Sequence, residues 1–444
     1  MIKHLTARGA CLGSGTIDKL LEGVPLPKVV RVRQSFPDEH ISVDGLPREI
    51  LERIRARGAE ERVRPGMRIG ITAGSRGISN IPLILKTLVN FVRERGAEPF
   101  LIAAMGSHGG ATSEGQRAVL AGLGITEESM GCPIRSSMEV VPAGRNAEGA
   151  EVFMSRDASE MDGIIVCNRI KAHTCFRGPV ESGLMKMMAI GLGKQVGADY
   201  CHKAGFQNMA KNVRLFGQTV LNALPVLFGV GILENAFDHT SEIAVLYKEE
   251  IPQEEPAYLA RAMDMLPKIH VPECDVLVVD TIGKNFSGGG MDANVTGTFV
   301  TPYASGGLKS QRVAVLDLSP ESHNNATGSG MAHATTQRFF DKIDFEQTYP
   351  NVITSTVIEN VRIPMVLKND RQAIQVCLRT CTDVGPDGPR LVRISNSMQL
   401  GHIYLSHHYL PQIEEHPLLD RESELMDLPF DDGGNLIDLG KIGV

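Results

Sequence analysis

Between Met67 and Met105 short apolar runs alternate with a helical pattern, and this alternation constrains the fold more than any other feature. MRIGITAG (67–74) is a short apolar run that ends in a glycine loop. Leu85, Leu88, Val89 and Val92 then recur at helical spacing, and Gly96 supplies a stop. PFLIAAMG (99–106) reads as a second buried strand, and SHGGATSEG leads into another helix with Thr112 or Ser113 as N-cap. GIIVC (163–167), DVLVVD (275–280) and RVAVLD (312–317) are further β-rich runs. Strands alternating with helices predict an α/β architecture, with parallel or mixed sheets flanked by helices.

At 444 residues the chain is too long for one ordinary core, so two domains are expected, with the active site in the crevice between them. The proline-studded, charged stretch 251–273 reads as the boundary. The expected division is a cofactor-tethering domain over 1–268, a second α/β domain over 269–395, and a tail over 396–444 that packs back on the first. A hydrophobic content of 42% with 22% charged residues excludes disordered and fibrous classes. The net charge of −7 disfavours nucleic acid or an anionic membrane as a global partner. Eight scattered cysteines with no CxxC pair are no disulfide framework, zinc ribbon or iron–sulfur site. Free thiols in a reducing compartment are expected instead. The start has no apolar signal core, and the run 220–233 is interrupted by Asn222 and Pro225 and too short to span a bilayer. A cytoplasmic location follows as the expectation.

In open α/β sheets, ligands bind beyond the carboxyl ends of the strands. Loops in that position carry Arg76, His108, Asn168, Lys171, His173 and Lys284. Cations and imidazoles converging there would suit an anionic substrate. The glycine run 286–297 lacks a P-loop pattern and reads as a turn rather than a phosphate cradle. Residues 179–192 read as a helix, with Pro179 in its first turn and Glu181 at its positive end. Val180, Leu184, Met187 and Met188 would then form the apolar stripe and Lys186 would point elsewhere, among the small residues Ser182, Gly183 and Ala189. That leaves room for a covalently tethered group, although a lysine snorkelling on a solvent face fits the same pattern. His202 reads as opening the next helix. Lying 29 residues apart, His173 and His202 match no zinc motif, but one histidine plus a cofactor's own donors could hold a metal.

The segments GSHGGATSEG, KAHT and SGLMKMMAIGLG followed by CH, in this order and spacing, resemble the nickel-dependent lactate racemase family, most clearly over roughly residues 65–210. The resemblance implies a nickel-pincer nucleotide (pyridinium-3,5-bisthiocarboxylic acid mononucleotide nickel). Lys186 matches the lysine that carries it through a thioamide, and His202 the histidine that completes the nickel coordination. His108 and His173 match acid/base histidines on opposite faces of the substrate. Arg76 matches the arginine that holds the substrate anion, with Lys284 a candidate second anion contact. The implied reaction is that of an isomerase, a racemase or epimerase. One histidine takes the hydroxyl proton of a 2-hydroxy acid while hydride leaves C2 for the cofactor, and return to the other face inverts the centre. The implied partners are a small anionic 2-hydroxy acid and the proteins that make the cofactor; a second copy of the chain is admitted, nucleic acid and membrane are not.

Two departures stand out. The chain has Gly183-Leu184-Met185 where lactate racemases carry Gly-Gly-Arg before the lysine, and Gly109 where they place an arginine after the histidine. Both point away from lactate toward a different or larger 2-hydroxy acid, such as a sugar acid. Two other classes compete. A metal-dependent hydrolase could use His173 and His202 with His108 as base, but the sequence lacks the carboxylate-bearing ligand motif such an enzyme needs. A non-catalytic relative could bind a sugar acid or phosphate, but would have no use for both a tether and a metal ligand.

Overall fold

The computed structural model of the chain describes residues 15–75 and 77–437. Two compact units emerge. One is Pro37–Leu266 with Thr301–Ala304; the other joins the N-terminal segment up to Phe36 to Pro267–Val300 and to the chain from Ser305 onward. The sheets are mixed and flanked by helices, as the alternation predicts. Among the described residues, no helix is long and apolar enough to cross a membrane.

The first strand, β1 (Val29–Gln34), belongs to the second unit. The first unit is built on β2 (Arg68–Ala73), β3 (Glu98–Ala103), β4 (Ile134–Arg135), β7 (Gly163–Arg169), β8 (Val226–Glu234) and β9 (Thr240–Tyr247), with β5 (Val140–Arg145) and β6 (Glu151–Ser155) as a separate hairpin. The sheet order is β4-β3-β2-β7-β8-β9. All pairs are parallel except β8–β9. Alternate residues supply two cores, as the twofold side-chain period of a strand requires. Ile69, Ile71, Leu101, Ile165 and Cys167 pack with the helices Leu46–Ala56 and Ile81–Glu94. Phe100, Ile102, Ile164 and Val166 pack instead with Leu184, Met188, Val213 and Phe216. The helix expected after β2 spans Ile81–Glu94, buries Leu85, Leu88, Val89 and Val92, and is followed by Gly96 at φ 76°. Thr112 caps the next helix by accepting from the Gly115 N–H at 3.0 Å.

In the second unit, β10 (Glu273–Ile282), β11 (Lys309–Leu318), β12 (Ala334–Thr336), β13 (Met365–Leu367) and β14 (Leu391–Ile394) are parallel. β15 (His402–Ser406) runs antiparallel to both β14 and β1, and β16 (Leu419–Arg421) pairs antiparallel with β1. Central β10 is buried on both faces, with Leu277 and Val279 in one core and Val276 and Val278 in the other.

One expectation about domain layout needs correction. Residues beyond 395 are no appended tail, because β15 and β16 are integral strands of the second sheet, and β1 joins them there. Strands this short and polar-flanked carry a weak signal until their neighbours are known. The proline-studded stretch 251–273 begins with a helix, Ile251–Asp264. Pro252 falls in its first turn, where the missing N–H costs nothing. Ile251, Glu255, Leu259 and Ala262 bury one face of it. The change of unit comes at Pro267.

Truncation before Asn396 should therefore strip hydrogen bonds from both β14 and β1 and abolish folding of the second unit. Expression of residues 1–395 followed by calorimetry checks this; a soluble product with the wild-type melting profile would make the segment peripheral after all.

Candidate functional site

The chain runs outward through β2, β3 and β4, then returns to place β7 on the other side of β2. The loops leaving β2 and β7 therefore diverge to opposite faces of the sheet, and a crevice opens at their carboxyl ends. Arg76, on the loop after β2, lies outside the described residues.

His108 follows β3 and is exposed. Its Nδ1 lies 2.5 Å from the Ser75 hydroxyl, which ties the loops after β2 and β3 together. Gly106 N–H donates to the Gly191 carbonyl at 3.2 Å. Beneath the loop, fully buried Lys194 donates to the Ala103 carbonyl at 2.6 Å and to the Gln116 side chain at 3.1 Å. Gln116 in turn donates to the Gly106 carbonyl at 2.9 Å. Burial pulls the Lys194 ammonium down to about 8. The glycine after His108 is required by the turn. Gly109 has φ +68°, and a Cβ there would lie 2.5 Å from the Gly115 backbone, so an arginine has no place in this loop.

His173 sits on a loop closed by paired backbone bonds between Lys171 and Ser182, at 2.8 and 3.1 Å. Buried Glu181 accepts from the His173 N–H at 2.6 Å, the Gly178 N–H at 3.1 Å and Arg177 at 3.2 Å. Burial nevertheless raises the Glu181 carboxyl above its ordinary range. The Cys175 N–H donates to His173 Nδ1 at 3.1 Å, so the neutral imidazole carries its proton on Nε2.

The helix expected over 179–192 is shorter and of a different kind. Leu184–Lys186 form one α-helical turn, Met187–Gly191 a π-helical turn, and Lys194–His202 a further helix. Glu181 thus pins the His173 loop instead of capping a helix. The carboxylate at the start of the Lys186 turn is Glu255, which accepts from the Met185 N–H at 2.9 Å. Glu255 is fully buried, and burial pushes it up to about 8. A Cβ on Gly183 would lie 2.0 Å from Glu255 Oε1, so this glycine is small to admit Glu255, not to leave room beside Lys186.

His202 closes its helix rather than opening one. Its Nδ1–H donates to the Ala198 carbonyl at 2.7 Å, and burial lowers its pKa. At neutral pH the ring is therefore uncharged, with its Nε2 lone pair available. Phe206 links the two histidines, its ring centre 5.9 Å from that of His202 and 6.3 Å from that of His173. Burial raises the thiols of Cys175 and Cys201, and the Lys186 charge acts on both and on His202. Lys186, His173 and His202 are thus brought together, and the His108 loop packs on Ile190 and Gly191 at the end of the same π-turn. Lys284 belongs to the other unit, where its ammonium donates to the Gly288 carbonyl at 2.9 Å within the glycine run.

Sequence reading missed Ser75, Gln116, Lys194, Phe206 and Glu255. Ser75 beside Arg76, Lys194 eight residues after Lys186 and Phe206 four after His202 stood in stretches that already drew attention; Gln116 and Glu255 did not. Two surface cavities of about 440 and 420 Å³ lie along the helix Met209–Ala223; His108, His173, Lys186 and His202 line neither.

A family model described as a domain of unknown function (DUF362) matches residues 69–286. No curated protein matches the chain. Among solved structures, the lactate racemase apoprotein from Thermoanaerobacterium thermosaccharolyticum is similar, with a TM-score of 0.50 at 10% identity, over 84% of this chain and 99% of that one. At that identity the likeness is one of fold.

The position of Glu255 has a measurable consequence. Its folded pKa of about 8 lies above the unfolded value of 4.5, so its contribution is fully present below pH 4.5 and is lost as pH rises toward 8. The slope approaches about 1.4 kcal/mol per pH unit. Glu255→Gln should flatten that decline in urea unfolding at pH 5, 6.5 and 8; an unchanged slope would assign it to another group.

Proposed function

We propose that the chain is an isomerase, a racemase or epimerase that inverts C2 of a 2-hydroxy acid with a nickel-pincer nucleotide carried on Lys186. The observation that carries this reading is His202. A histidine that gives its Nδ1–H to a backbone carbonyl and keeps a neutral Nε2 is arranged as metal-binding histidines are. Lys186 is near enough for its charge to act on that ring, so tether and ligand fit one group. The protein supplies one nitrogen donor there, and the remaining donors would come from the cofactor. When bound, this group supplies the acceptance and return of hydride at C2.

The chain's own residues would then handle protons and orientation. The Nδ1 of His108 meets a hydroxyl that can donate or accept, so His108 can present either a lone pair or a proton at Nε2. It is suited to take the substrate's hydroxyl proton. The Nδ1 of His173 meets a backbone donor, so the neutral ring presents Nε2–H and can hydrogen-bond an oxygen. To accept a proton at Nε2, His173 must release the Nδ1 contact with the Cys175 N–H and switch tautomer. Arg76 would hold the substrate carboxylate, where a guanidinium offers two parallel hydrogen bonds. The glycine turn at Gly109 and the buried Leu184 and Met185 replace the arginines of lactate racemases, which supports a substrate other than lactate, a sugar acid among them.

The test is intact mass, peptide mapping and nickel analysis of protein made together with the cofactor-synthesis proteins. A nucleotide-sized adduct on the Lys186 peptide with near-stoichiometric nickel is expected, with both lost in Lys186→Ala and only the nickel lost in His202→Ala. Chiral analysis over lactate and larger aldonates should then find turnover that falls roughly 10²-fold or more in His108→Ala and His173→Ala. An unmodified lysine, in a host shown to load a lactate racemase, would end this reading.

A further inference from the structure

A second set of metal-ligating side chains lies away from Lys186 and His202, at the turn between β8 and β9. We propose that Asp38, His40 and His239 form a surface site for a late transition-metal ion, of which Zn²⁺ is the representative probe. Asp38 and His40 are two positions apart, His239 lies 201 positions beyond Asp38, and the fold brings it to them. Asp38 Oδ1 lies 2.8 Å from His239 Nδ1 and 3.2 Å from His40 Nδ1. One donor atom from each residue falls within 4.8 Å of the others. The two imidazole centres are 4.6 Å apart and tilted by 49°, so both rings can reach one ion.

The supporting bonds hold this arrangement in place without an ion. Asn235 Oδ1 accepts from the Phe237 N–H at 3.0 Å and the His239 N–H at 3.1 Å, which shapes the turn. The Asn235 side-chain amide donates to Asp38 Oδ1 at 2.8 Å, and the Ile41 N–H donates to the Thr240 carbonyl at 2.8 Å. Both halves of the site are therefore fixed to one another before anything binds. Tetrahedral ligands at about 2.0–2.1 Å from zinc stand about 3.3 Å apart, so an ion bound at these nitrogens would take the place of the protons that His239 Nδ1 gives to Asp38 Oδ1 at 2.8 Å and His40 Nδ1 gives to the Asp38 backbone carbonyl at 2.7 Å. Two imidazoles and a carboxylate select zinc, nickel or copper over magnesium or calcium. All three residues are exposed, which leaves the fourth position to water and makes exchange easy. A bound ion would cross-link the segment at Asp38–His40 to the turn Asn235–His239.

The inference is independent of the proposed activity, and its test uses Zn²⁺ alone. Full-length protein, freed of any affinity tag and stripped with chelator, would be titrated calorimetrically with ZnCl₂. One equivalent should bind the wild type. His40→Ala and His239→Ala should lose it, Asp38→Asn should weaken it about tenfold, and Lys186→Ala and His202→Ala should keep it. Zinc should raise the melting temperature of the wild type and not of His239→Ala. Failure of the wild type to bind zinc, binding that survives His40→Ala and His239→Ala, or an equal response to Mg²⁺ would overturn the proposal.

Discussion

β2 is paired in parallel on both sides, with β3 on one edge and β7 on the other, although β7 follows it by nearly a hundred residues. Because crossovers are right-handed, the segments leaving β2 and β7 must cover opposite faces of the sheet. The helix Ile81–Glu94 packs on one face and the Lys186–His202 region on the other. His173 and His202 both lie against Phe206, the Lys186 charge acts on His202, and the loop that carries His108 packs through Gly106 on the turn that follows Lys186.

Buried polar groups hold the loops in that position. Glu181 collects donors from His173, Gly178 and Arg177, while Glu255 takes the Met185 N–H under Gly183. Lys194 adopts φ 54°, a left-handed conformation unusual for a lysine, and its ammonium bonds both the end of β3 and Gln116. Burying each such group costs several kcal/mol unless hydrogen bonds compensate. The return is a set of loops with one preferred arrangement. Gly109 and the buried Leu184–Met185 likewise meet local backbone and core requirements.

The exposed trio Asp38, His40 and His239 contrasts with this buried framework. It rests on a side-chain-shaped turn and one backbone bond to Thr240, with its functional atoms in water. Such a group has no detectable sequence motif, because its members are brought together only when β8 and β9 form their turn beside the entering chain.

Much was legible from the sequence alone. Short apolar runs bounded by glycine loops marked β2, β3, β7, β10 and β11, because strand burial depends on residue type over a few positions. The helical spacing of Leu85, Leu88, Val89 and Val92, the Thr112 cap and the His108 loop were equally local. Tertiary structure decided the rest. It drew β1, β15 and β16 into one sheet, since short strands are specified by their partners. It made a helix of Ile251–Asp264 in spite of Pro256 in its interior, where Ile251, Glu255, Leu259 and Ala262 bury one face. It ended the expected 179–192 helix early and set Glu255, more than sixty residues on, beneath Lys186. Those outcomes depend on contacts between residues distant in sequence, where local propensity carries no information.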